Sequence, residues 1–431
     1  GALDALWNTF RKFPNVGAVG AKLLYPSGRL QEAGGIIWSD GSGWNWGRNE
    51  DPCDPRFNYV REVDYCSAAA LMIDLKIWRE ILGFDEIFIP CYYEDTDFCF
   101  AIREIGKRVF YQPKAEIIHL EGASHGTEVD VGQKAYQTRN QRYFFEKWGT
   151  TLERHARNGV DPLKECNRFA KARVLWVEAC VLTPDQDSGS LRAARLLALL
   201  VKMGCKVTFV ADNLQSDEPY CEDLRAQGIE VLHAPYVTSM KAYLRQWGGL
   251  YDVITFCRHY IAVNYIDLMR EHHPQTCIWF DTVDLHYLRL DRQYKLDRQA
   301  ATKAMAELAR AQELEVINKS DMTIVVSDVE KLELASSAAT AHVSIISNIH
   351  EIQNSKPTFE GRSGIMFVGG FQHPPNVDAV EYYAEDIWPH FRARYPNVDT
   401  YIIGSRMPER LKRFGENCGL KMVGYVEDLD I

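Results

Sequence analysis

Three carboxylates fall within four positions of the aromatic segment YYEDTDFCF, residues 92–100. They are Glu94, Asp95 and Asp97. The aromatic neighbours favour burial. Burying an unpaired carboxylate, however, is energetically unfavourable or forces the group to take up a proton. We therefore expect these acids at a solvated edge, paired with another group, or in contact with a ligand. A carboxylate of the last kind can remove a proton from a substrate hydroxyl group.

Asp97 also has a purely structural interpretation. The apolar residues that follow it recur with helical spacing and predict a short helix. Asp97 would lie in the first turn and cap free N–H groups there. Glu94 and Asp95 are predicted in an apolar loop before the helix, where capping does not explain them. The apolar residues of the predicted helix are Phe98, Ala101, Ile102 and Ile105.

A histidine, His119, lies at the end of a predicted strand further along the chain. A neutral imidazole can ligate a divalent metal. The alternative is a histidine that is simply hydrogen-bonded at a strand end. The residue type alone leaves both interpretations open.

Other polar groups follow predicted strands in the second half of the chain. Asp281, Asp284 and His286 come after CIWFD, and Gly369 and Gly370 come after GIMFV. Ligands of open α/β sheets bind outside the carboxyl ends of the strands, and the two glycines would let the backbone approach a phosphate. The alternative for the acids and the histidine is that they cap the next helix.

A small polar segment, Ser188-Gly189-Ser190, forms a flexible turn before a predicted helix. The free N–H groups and the dipole of a helix N-terminus attract a phosphate or a sugar hydroxyl group. The alternative is an ordinary helix cap, because the segment lacks the glycine fingerprint G-x-G-x-x-G. The missing fingerprint also argues against a Rossmann oxidoreductase or epimerase.

The elements that must position these residues change in character along the chain. Residues 1–150 mix short strands with helices. One strand is predicted up to Pro113 and a second one after it. Regular alternation of strand and helix from residue 173 predicts parallel βαβ units in a doubly wound sheet. A charged stretch between them predicts a helical linker. The predicted organisation is 1–150, 151–172 (linker), 173–355 and 356–431.

The longest predicted helix runs near residues 291–319. Its buried face is predicted from apolar residues in helical register. These are Ala301, Ala304, Met305, Leu308 and Ala311.

Composition narrows the class of protein. With 431 residues, 46% hydrophobic and 25% charged, the chain belongs to the soluble globular class and is long enough for two or three domains. A net charge of −10 argues against a nucleic-acid partner. The 11 cysteines form no C-x-x-C pair, which indicates free thiols in a reducing cytosol. No apolar run approaches the roughly 18 residues of a membrane-spanning helix, so we expect a cytoplasmic protein.

The first 148 residues resemble the second half of an inverting family-2 glycosyltransferase of the GT-A type. The similar segments occur in order: VGAVGAKLLYPSGRLQEAGG, DYCSAAALMIDLKIWREILGFDEIF, the acidic motif, His119 and TRNQRYFFEKW. The resemblance implies that Asp95 is the general base, that Glu94 helps to place the acceptor, and that His119 ligates Mn²⁺ or Mg²⁺. It further implies acceptor-binding residues, namely Tyr93, Asp97, Arg139 and Cys66, where the family often has Gly.

Residues from 173 onwards resemble a retaining, family-4-like glycosyltransferase of the GT-B type. The similar segments are LTPDQDSGSLRAARLL, WFDTVDLHYLRLDRQ, IVVSDVEKLEL, ISNIHE and FVGGFQHPPNVDAVEYY. The fold class that follows is α/β: a partial GT-A-type mixed-sheet domain, then Rossmann-like GT-B-type domains, the last one truncated. The resemblance implies no metal for this second module.

Both resemblances imply a transferase of hexose-like sugars that uses nucleotide-sugar donors. The acceptor would be a glycan or lipid-linked oligosaccharide of a surface polysaccharide such as O-antigen or capsule, and this would bring the protein into peripheral contact with the membrane. Each family's donor-binding half would lie beyond the ends of the sequence. We therefore expect a fragment that is inactive by itself. The alternative function is a catalytically inactive module that binds a glycan or acts as a scaffold.

Overall fold

The computed structural model describes residues 1–120, 135–338, 341–350 and 358–426. The predicted domain boundary at 355/356 lies outside these ranges. The chain forms two compact units. The first unit combines Gly1–Val181 with Leu197–Ile346, and the second combines Leu182–Leu196 with Ser347–Ile431.

The first 165 residues of the first unit form a mixed sheet with helices. Strand β1 is central: it pairs in parallel with β7 and antiparallel with β2 and β6, while β5 adds to the other edge of β7. Strands β3 and β4 form a separate hairpin. The strands are β1 Val16–Leu24, β2 Leu30–Glu32, β3 Gly35–Ile37, β4 Gly43–Asn45, β5 Arg61–Glu62, β6 Leu71–Ile73 and β7 Arg108–Ile118. The helices are α1 Ala2–Lys12, α2 Leu75–Ile81, α3 Glu94–Glu104, α4 Ala135–Leu152 and α5 Pro162–Glu165.

Strand β7 is a single strand where two were predicted. Its pairing with β1 shifts register between Ala21, opposite Gln112, and Lys22, opposite Glu116. Pro113 lies in this irregularity, which is where a strand tolerates the missing N–H of a proline. The irregularity replaces the predicted break and carries the strand on towards His119.

The second part of the first unit is a seven-stranded parallel sheet of order β10-β9-β8-β11-β12-β13-β14. This is the doubly wound, Rossmann-like order, in which the strands are added first to one side of β8 and then to its other side. The α/β fold with a doubly wound parallel sheet is confirmed. The strands are β8 Arg173–Glu178, β9 Lys206–Ala211, β10 Ile229–Leu232, β11 Val253–Cys257, β12 Cys277–Asp281, β13 Met322–Val325 and β14 Val343–Ile345. The helices are α7 Tyr220–Ala226, α8 Met240–Trp247, α9 His259–Ala262, α10 Ile266–His272, α11 His286–Asp297, α12 Ala300–Lys319 and α13 Asp328–Ser337. Helix α6, Ser188–Lys202, is shared: its residues up to Leu196 belong to the second unit and the rest to the first.

The long helix predicted at 291–319 is two helices, α11 and α12. Arg298, with φ of +53°, ends α11 in the left-handed conformation that closes many helices. The predicted buried face of α12 is also wrong, since Met305 and Leu308 are 57% and 60% exposed. The helix instead buries a stripe that includes two polar residues. Its members are Thr302, Ala306, Ala309, Glu313, Val316 and Ile317.

The stretch 151–172 is not a helical linker. It contains only the end of α4 and the single turn α5, and it packs into the first unit: Leu152 and Cys166 are buried. Arg61 donates to the carbonyl oxygen of Cys166 at 2.8 Å. Pro162 can begin a helical turn but the preceding Asp161, with φ of +48°, cannot extend it backwards.

The mixed sheet and the parallel sheet lie in the same compact unit and touch directly. The Val60 amide donates to the carbonyl oxygen of Arg225 at 3.1 Å. The Tyr236 hydroxyl group donates to Asp51 at 2.9 Å, and Lys114 pairs with Glu222. The first two predicted domains are therefore packed against each other.

The second unit contains a three-stranded parallel sheet of order β15-β16-β17. A π-helical turn, Tyr383–Ile387, joins α14 to α15. Its strands are β15 Ile365–Val368, β16 Thr400–Ile403 and β17 Lys421–Gly424, and its helices are α14 Pro374–Tyr382, α15 Trp388–Arg394 and α16 Glu409–Cys418. None of the helices in the described ranges has the length and hydropathy needed to cross a bilayer.

Candidate active site

A cleft of about 840 Å³ opens over the amino end of α3 in the first unit. Its wall includes Glu94 and Asp95 of α3, the loop 67–69, and His119 at the end of β7. With Tyr93, which also lines the cleft, the fold brings together four of the predicted site residues. Aromatic side chains complete the wall: Trp44, Trp46, Tyr65, Tyr92 and Tyr93.

The two acids begin α3 and do not precede it as predicted. Tyr92 and Tyr93 both have positive φ, +72° and +74°. This conformation is uncommon for residues other than glycine, and such backbone outliers occur often at functional sites. The helix starts directly after the two tyrosines, at Glu94, so both carboxylates lie at its amino end.

Asp95 is held by backbone donors on both oxygens. Oδ1 accepts from the Thr96 amide at 2.7 Å and from the Thr96 hydroxyl group at 3.2 Å. Oδ2 accepts from the Ala68 amide at 3.0 Å, which ties α3 to the loop 67–69. Burial nevertheless raises the pKa of Asp95 above its ordinary value. One lone pair of Oδ2 remains for a further donor.

Glu94 differs from Asp95 in its surroundings. Its Oε2 is buried and has no hydrogen-bond partner among the described residues. Burial and the neighbouring charge of Asp95 raise the pKa of Glu94 to about 7. A carboxyl group with a pKa near neutrality can exchange a proton readily at physiological pH.

The sequence analysis missed Glu32, a third acid beside this pair. Glu32 is 1% exposed and accepts from the Ser67 amide at 2.9 Å. Burial is the main cause that raises its pKa to about 8, and the charge of Asp95 adds to the effect. Glu32 and Asp95 thus hold adjacent amides of one loop. The short segment LQEAGG, with a polar pair between apolar residues and glycines, is the only signal in the sequence.

We expect the replacement Glu32→Gln to flatten the pH dependence of stability. Because the folded pKa of about 8 lies above the unfolded value, the protonated carboxyl favours folding at low pH, and this contribution is lost as the pH rises through about 8. The variant should therefore gain stability relative to wild type, by a few kcal/mol at pH 8 and by little at pH 4. Urea denaturation at several pH values measures this. The exposed Glu153→Gln is the control, and an equal pH slope in Glu32→Gln and wild type would contradict the prediction.

His119 is held at the cleft by two contacts. Its amide donates to the Leu24 carbonyl oxygen at 2.9 Å, and Nδ1 lies 3.2 Å from Oε1 of Gln31. Because Oε1 is an acceptor, Nδ1 carries the proton in this contact and Nε2 has a free lone pair. Within the described ranges, however, no group of three potential metal ligands includes His119. The predicted metal role of His119 stays a prediction.

Three of the predicted acceptor-binding residues do not line the cleft: Asp97, Cys66 and Arg139. Asp97 is buried and accepts from Trp148 Nε1 at 2.7 Å and from Lys147 Nζ at 2.9 Å, so it ties α3 to α4 and does not cap the helix. Cys66 is buried so closely against β1 that a Cβ at Gly20 would lie 2.1 Å from Cys66 Cβ. Both side chains therefore position the core around the site.

The loop before α3 is supported by a residue that the sequence analysis missed. Asn140 is fully buried in α4, and its Nδ2 donates to the carbonyl oxygens of Phe88, Cys91 and Tyr92 at 2.8–2.9 Å. The predicted Arg139 lies beside it and donates to the Ile89 carbonyl oxygen. In this structure Arg139 thus braces the same loop.

Tyr93 combines a structural contact with a place in the cleft wall. Its hydroxyl group donates to the Gly41 carbonyl oxygen at 2.9 Å, while the ring borders the cleft. Its contact with an acceptor stays a prediction.

The second predicted group lies at the carboxyl ends of β11 and β12. Asp281 is fully buried and accepts from the Val283 amide at 3.0 Å. Asp284 pairs with Arg289 at 2.8 Å, and its Oδ1 lies 3.4 Å from Nδ1 of His286. The structure therefore places Asp284 and His286 together, while Asp281 is buried at the end of β12.

In the second unit, the predicted phosphate-binding residues serve local structure. Ser188, Gly189 and Ser190 are not a flexible turn but the first turn of α6, and Asp187 accepts from the Ser190 amide at 2.8 Å. A ligand role for these three residues, and for the glycines below, stays a prediction.

The paired glycines in the same unit follow β15, where other segments approach closely. A Cβ at Gly369 would lie 2.8 Å from Asn376 Nδ2, and one at Gly370 would lie 3.0 Å from the Gln186 carbonyl oxygen. Asn376 also donates to the Gly370 carbonyl oxygen at 2.9 Å. Packing therefore favours glycine at both positions.

No family model matches this chain. It is 32% identical over 142 residues to protein y4gI of Sinorhizobium fredii, and the aligned region covers 32% of this chain and 16% of that protein. It is 31% identical over 116 residues to the O-antigen biosynthesis protein RfbC of Myxococcus xanthus, 26% of this chain and 9% of RfbC. It is 26% identical over 143 residues to an N-acetylglucosaminyl-diphospho-decaprenol L-rhamnosyltransferase of Mycobacterium tuberculosis, 30% of this chain and 45% of the enzyme.

The chain is thus similar to glycosyltransferases over about a third of its length, and it spans less than half of the length of these curated relatives. Solved structures match only loosely. Anabaena HepE in complex with UDP has a TM-score of 0.39 at 12% identity, covering 60% of this chain and 70% of that chain.

Proposed function

We propose that this chain is part of a glycosyltransferase that builds a surface polysaccharide or a lipid-linked glycan. In this proposal the cleft at α3 holds the acceptor, Asp95 removes the proton from the attacking hydroxyl group, and the sugar is transferred with inversion. The observation that supports it most is the pair Glu94 and Asp95 at the amino end of α3, in a cleft with aromatic walls. The sequence similarity to RfbC and to the rhamnosyltransferase points the same way.

The arrangement of Asp95 suits a general base. Donors from Ala68 and Thr96 fix the carboxylate in one orientation, so little reorganisation is needed when the hydroxyl group arrives. The free lone pair of Oδ2 accepts the proton. Glu94 has a pKa of about 7. It can therefore donate a hydrogen bond to a hydroxyl group of the sugar acceptor, or accept one from it, and so orient the acceptor.

The wall of the cleft suits a sugar acceptor. Trp44 is 41% exposed, and Trp46, Tyr65 and Tyr92 also border the cleft. Aromatic rings offer apolar faces to the C–H groups of a sugar, and their polar edges can bind its hydroxyl groups. We extend the proposal to a divalent metal at His119 and to a second, retaining and metal-independent module built on the parallel sheet. Additional metal ligands and the donor pocket would come from parts of the protein outside the described residues.

The experiment is a transfer assay with the complete polypeptide that contains this sequence. A panel of nucleotide-sugars is offered together with glycan and lipid-linked acceptors, with and without Mn²⁺, and the anomeric configuration of the product is determined by NMR. Inverted product supports the proposal. If no sugar is transferred but a glycan binds with the cleft residues protected from hydrogen exchange, the module is a glycan-binding scaffold instead.

A further inference from the structure

Two histidines and a glutamate from three elements meet at the carboxyl edge of the parallel sheet. They are His259, His286 and Glu313, and one potential ligand atom from each lies within 4.8 Å of the others. His259 begins α9 directly after β11, and His286 begins α11 after β12. Cys257 and Asp281, the last residues of these strands, are register partners, so the two loops start side by side. Glu313 comes from the buried stripe of α12.

The distances fit ligands of one metal ion better than hydrogen bonds. Nδ1 of His259 lies 3.5 Å from Oε1 of Glu313, and Nδ1 of His286 lies 3.6 Å from the same oxygen. Good N–H···O hydrogen bonds are about 2.7–3.2 Å long. Ligands about 2.1 Å from a tetrahedral zinc ion are about 3.4 Å apart. The observed separations leave space for an ion between the three groups.

Burial adds a second, independent observation. Glu313 is fully buried and the His259 side chain is 8% exposed. Nδ1 of His259 is a buried polar atom without a hydrogen-bond partner in the described part of the chain. Such an atom costs free energy unless a ligand engages it. Nδ1 points to Glu313, the group with which it would share an ion.

The carboxylate of Glu313 is fixed at the start of α11. The amide of His286 donates to its Oε1 at 2.9 Å, and the amide of Tyr287 donates to its Oε2 at 3.0 Å. These two backbone donors set the orientation of the carboxylate that faces the two imidazoles.

We propose that His259, His286 and Glu313 bind a divalent transition-metal ion of the zinc class. Two imidazoles and a carboxylate are a ligand set that Zn²⁺ accepts, with a fourth position for water or for the half-exposed Asp284, whose Oδ1 lies 3.4 Å from Nδ1 of His286. The ion crosslinks α9, α11 and α12 at the edge where open α/β sheets bind ligands. The site is separate from Asp95 and differs from the metal-free second module that the sequence predicted.

Metal binding requires one local change. Nδ1 of His286 lies 3.1 Å from the Asp284 carbonyl oxygen, a hydrogen bond in which Nδ1 carries the proton. The ion must replace this contact, or the ring must turn so that Nε2 becomes the ligand.

The test is a metal titration of the whole chain after treatment with a chelator. We expect one equivalent of Zn²⁺ by calorimetry, visible absorption bands of tetrahedral Co²⁺, and a higher unfolding temperature with the metal. His259→Ala and His286→Ala should each weaken binding by about 100-fold or more, because even indirect partners of a metal contribute 10–100-fold. The exposed His272→Ala is the matched control and should bind like wild type.

Glu313→Gln separates the metal site from helix capping. The amide oxygen of Gln can still accept an N–H group of α11, so the apo variant should fold, but it should bind Co²⁺ weakly. Equal affinities in wild type and all three variants, or no Co²⁺ bands in wild type, would overturn the proposal. This holds whether or not the chain transfers sugars.

Discussion

Replacing Asp95 with Asn is expected to lower kcat of glycosyl transfer by about 10²- to 10⁴-fold, the usual contribution of a general base. The amide nitrogen of Asn cannot take the proton of the acceptor hydroxyl group. In the proposed function the walls of the cleft provide most of the acceptor binding, so KM should change far less than kcat. Transfer by the complete polypeptide, measured over a range of acceptor concentrations, checks both constants.

The replacement also has a structural effect that must be separated from catalysis. In the wild type both oxygens of Asp95 accept hydrogen bonds, one from the Ala68 amide and one from the Thr96 amide. In the variant the amide nitrogen of the introduced Asn, a donor, has to face one of these two donors. Unfolding by urea is therefore measured on the same samples, with the exposed Asp217→Asn as the control. Glu94→Gln provides a further comparison, and its smaller expected loss would reflect an orienting role. If Asp95→Asn folds and retains more than a tenth of the wild-type kcat, Asp95 is not the base.

Replacing Asn140 with Asp is expected to cost about 3 to 5 kcal/mol of stability, the range for a buried charge without a partner. Asn and Asp side chains have the same shape. In the variant, however, a carboxylate oxygen would face the three carbonyl oxygens that accept hydrogen bonds from Nδ2 in the wild type. Because a protonated carboxyl could still donate one hydrogen bond, the loss should be smallest near pH 4. Urea denaturation between pH 4 and pH 8 measures it.

The same variant tests how the loop before α3 is held. We expect faster hydrogen exchange for the amides of residues 88–93 and for the first turn of α3, because Asn140 ties the loop to α4. Asn8→Asp, on the exposed face of α1, is the control for the change in charge. Wild-type stability at pH 8 together with unchanged exchange would show that Asn140 does not support the site.

The parallel sheet could be predicted from the sequence because its strands are buried on both faces. Such strands appear in the sequence as nearly continuous apolar runs, for example Val253–Cys257 and Cys277–Asp281. They can be recognised without knowing which side chains face which side of the sheet. The start of α3 was placed two or three residues too late, since no local rule predicts positive φ at two tyrosines. Helix α12 was assigned the wrong face because alanines occur all around it, so apolar periodicity does not distinguish its sides.

Sequence alone determined the alternation of strands and helices, the α/β class and the acidic pair at Glu94 and Asp95 as a candidate site, because these depend on local composition and spacing. Only the tertiary structure decided which polar groups meet. Glu32 reaches the loop 67–69 beside Asp95, Asn140 supports the tyrosine turn, and Glu313 faces two histidines. Each of these contacts joins residues more than 25 positions apart. Their free energy depends on burial and on partners from other elements, which no short segment of sequence specifies.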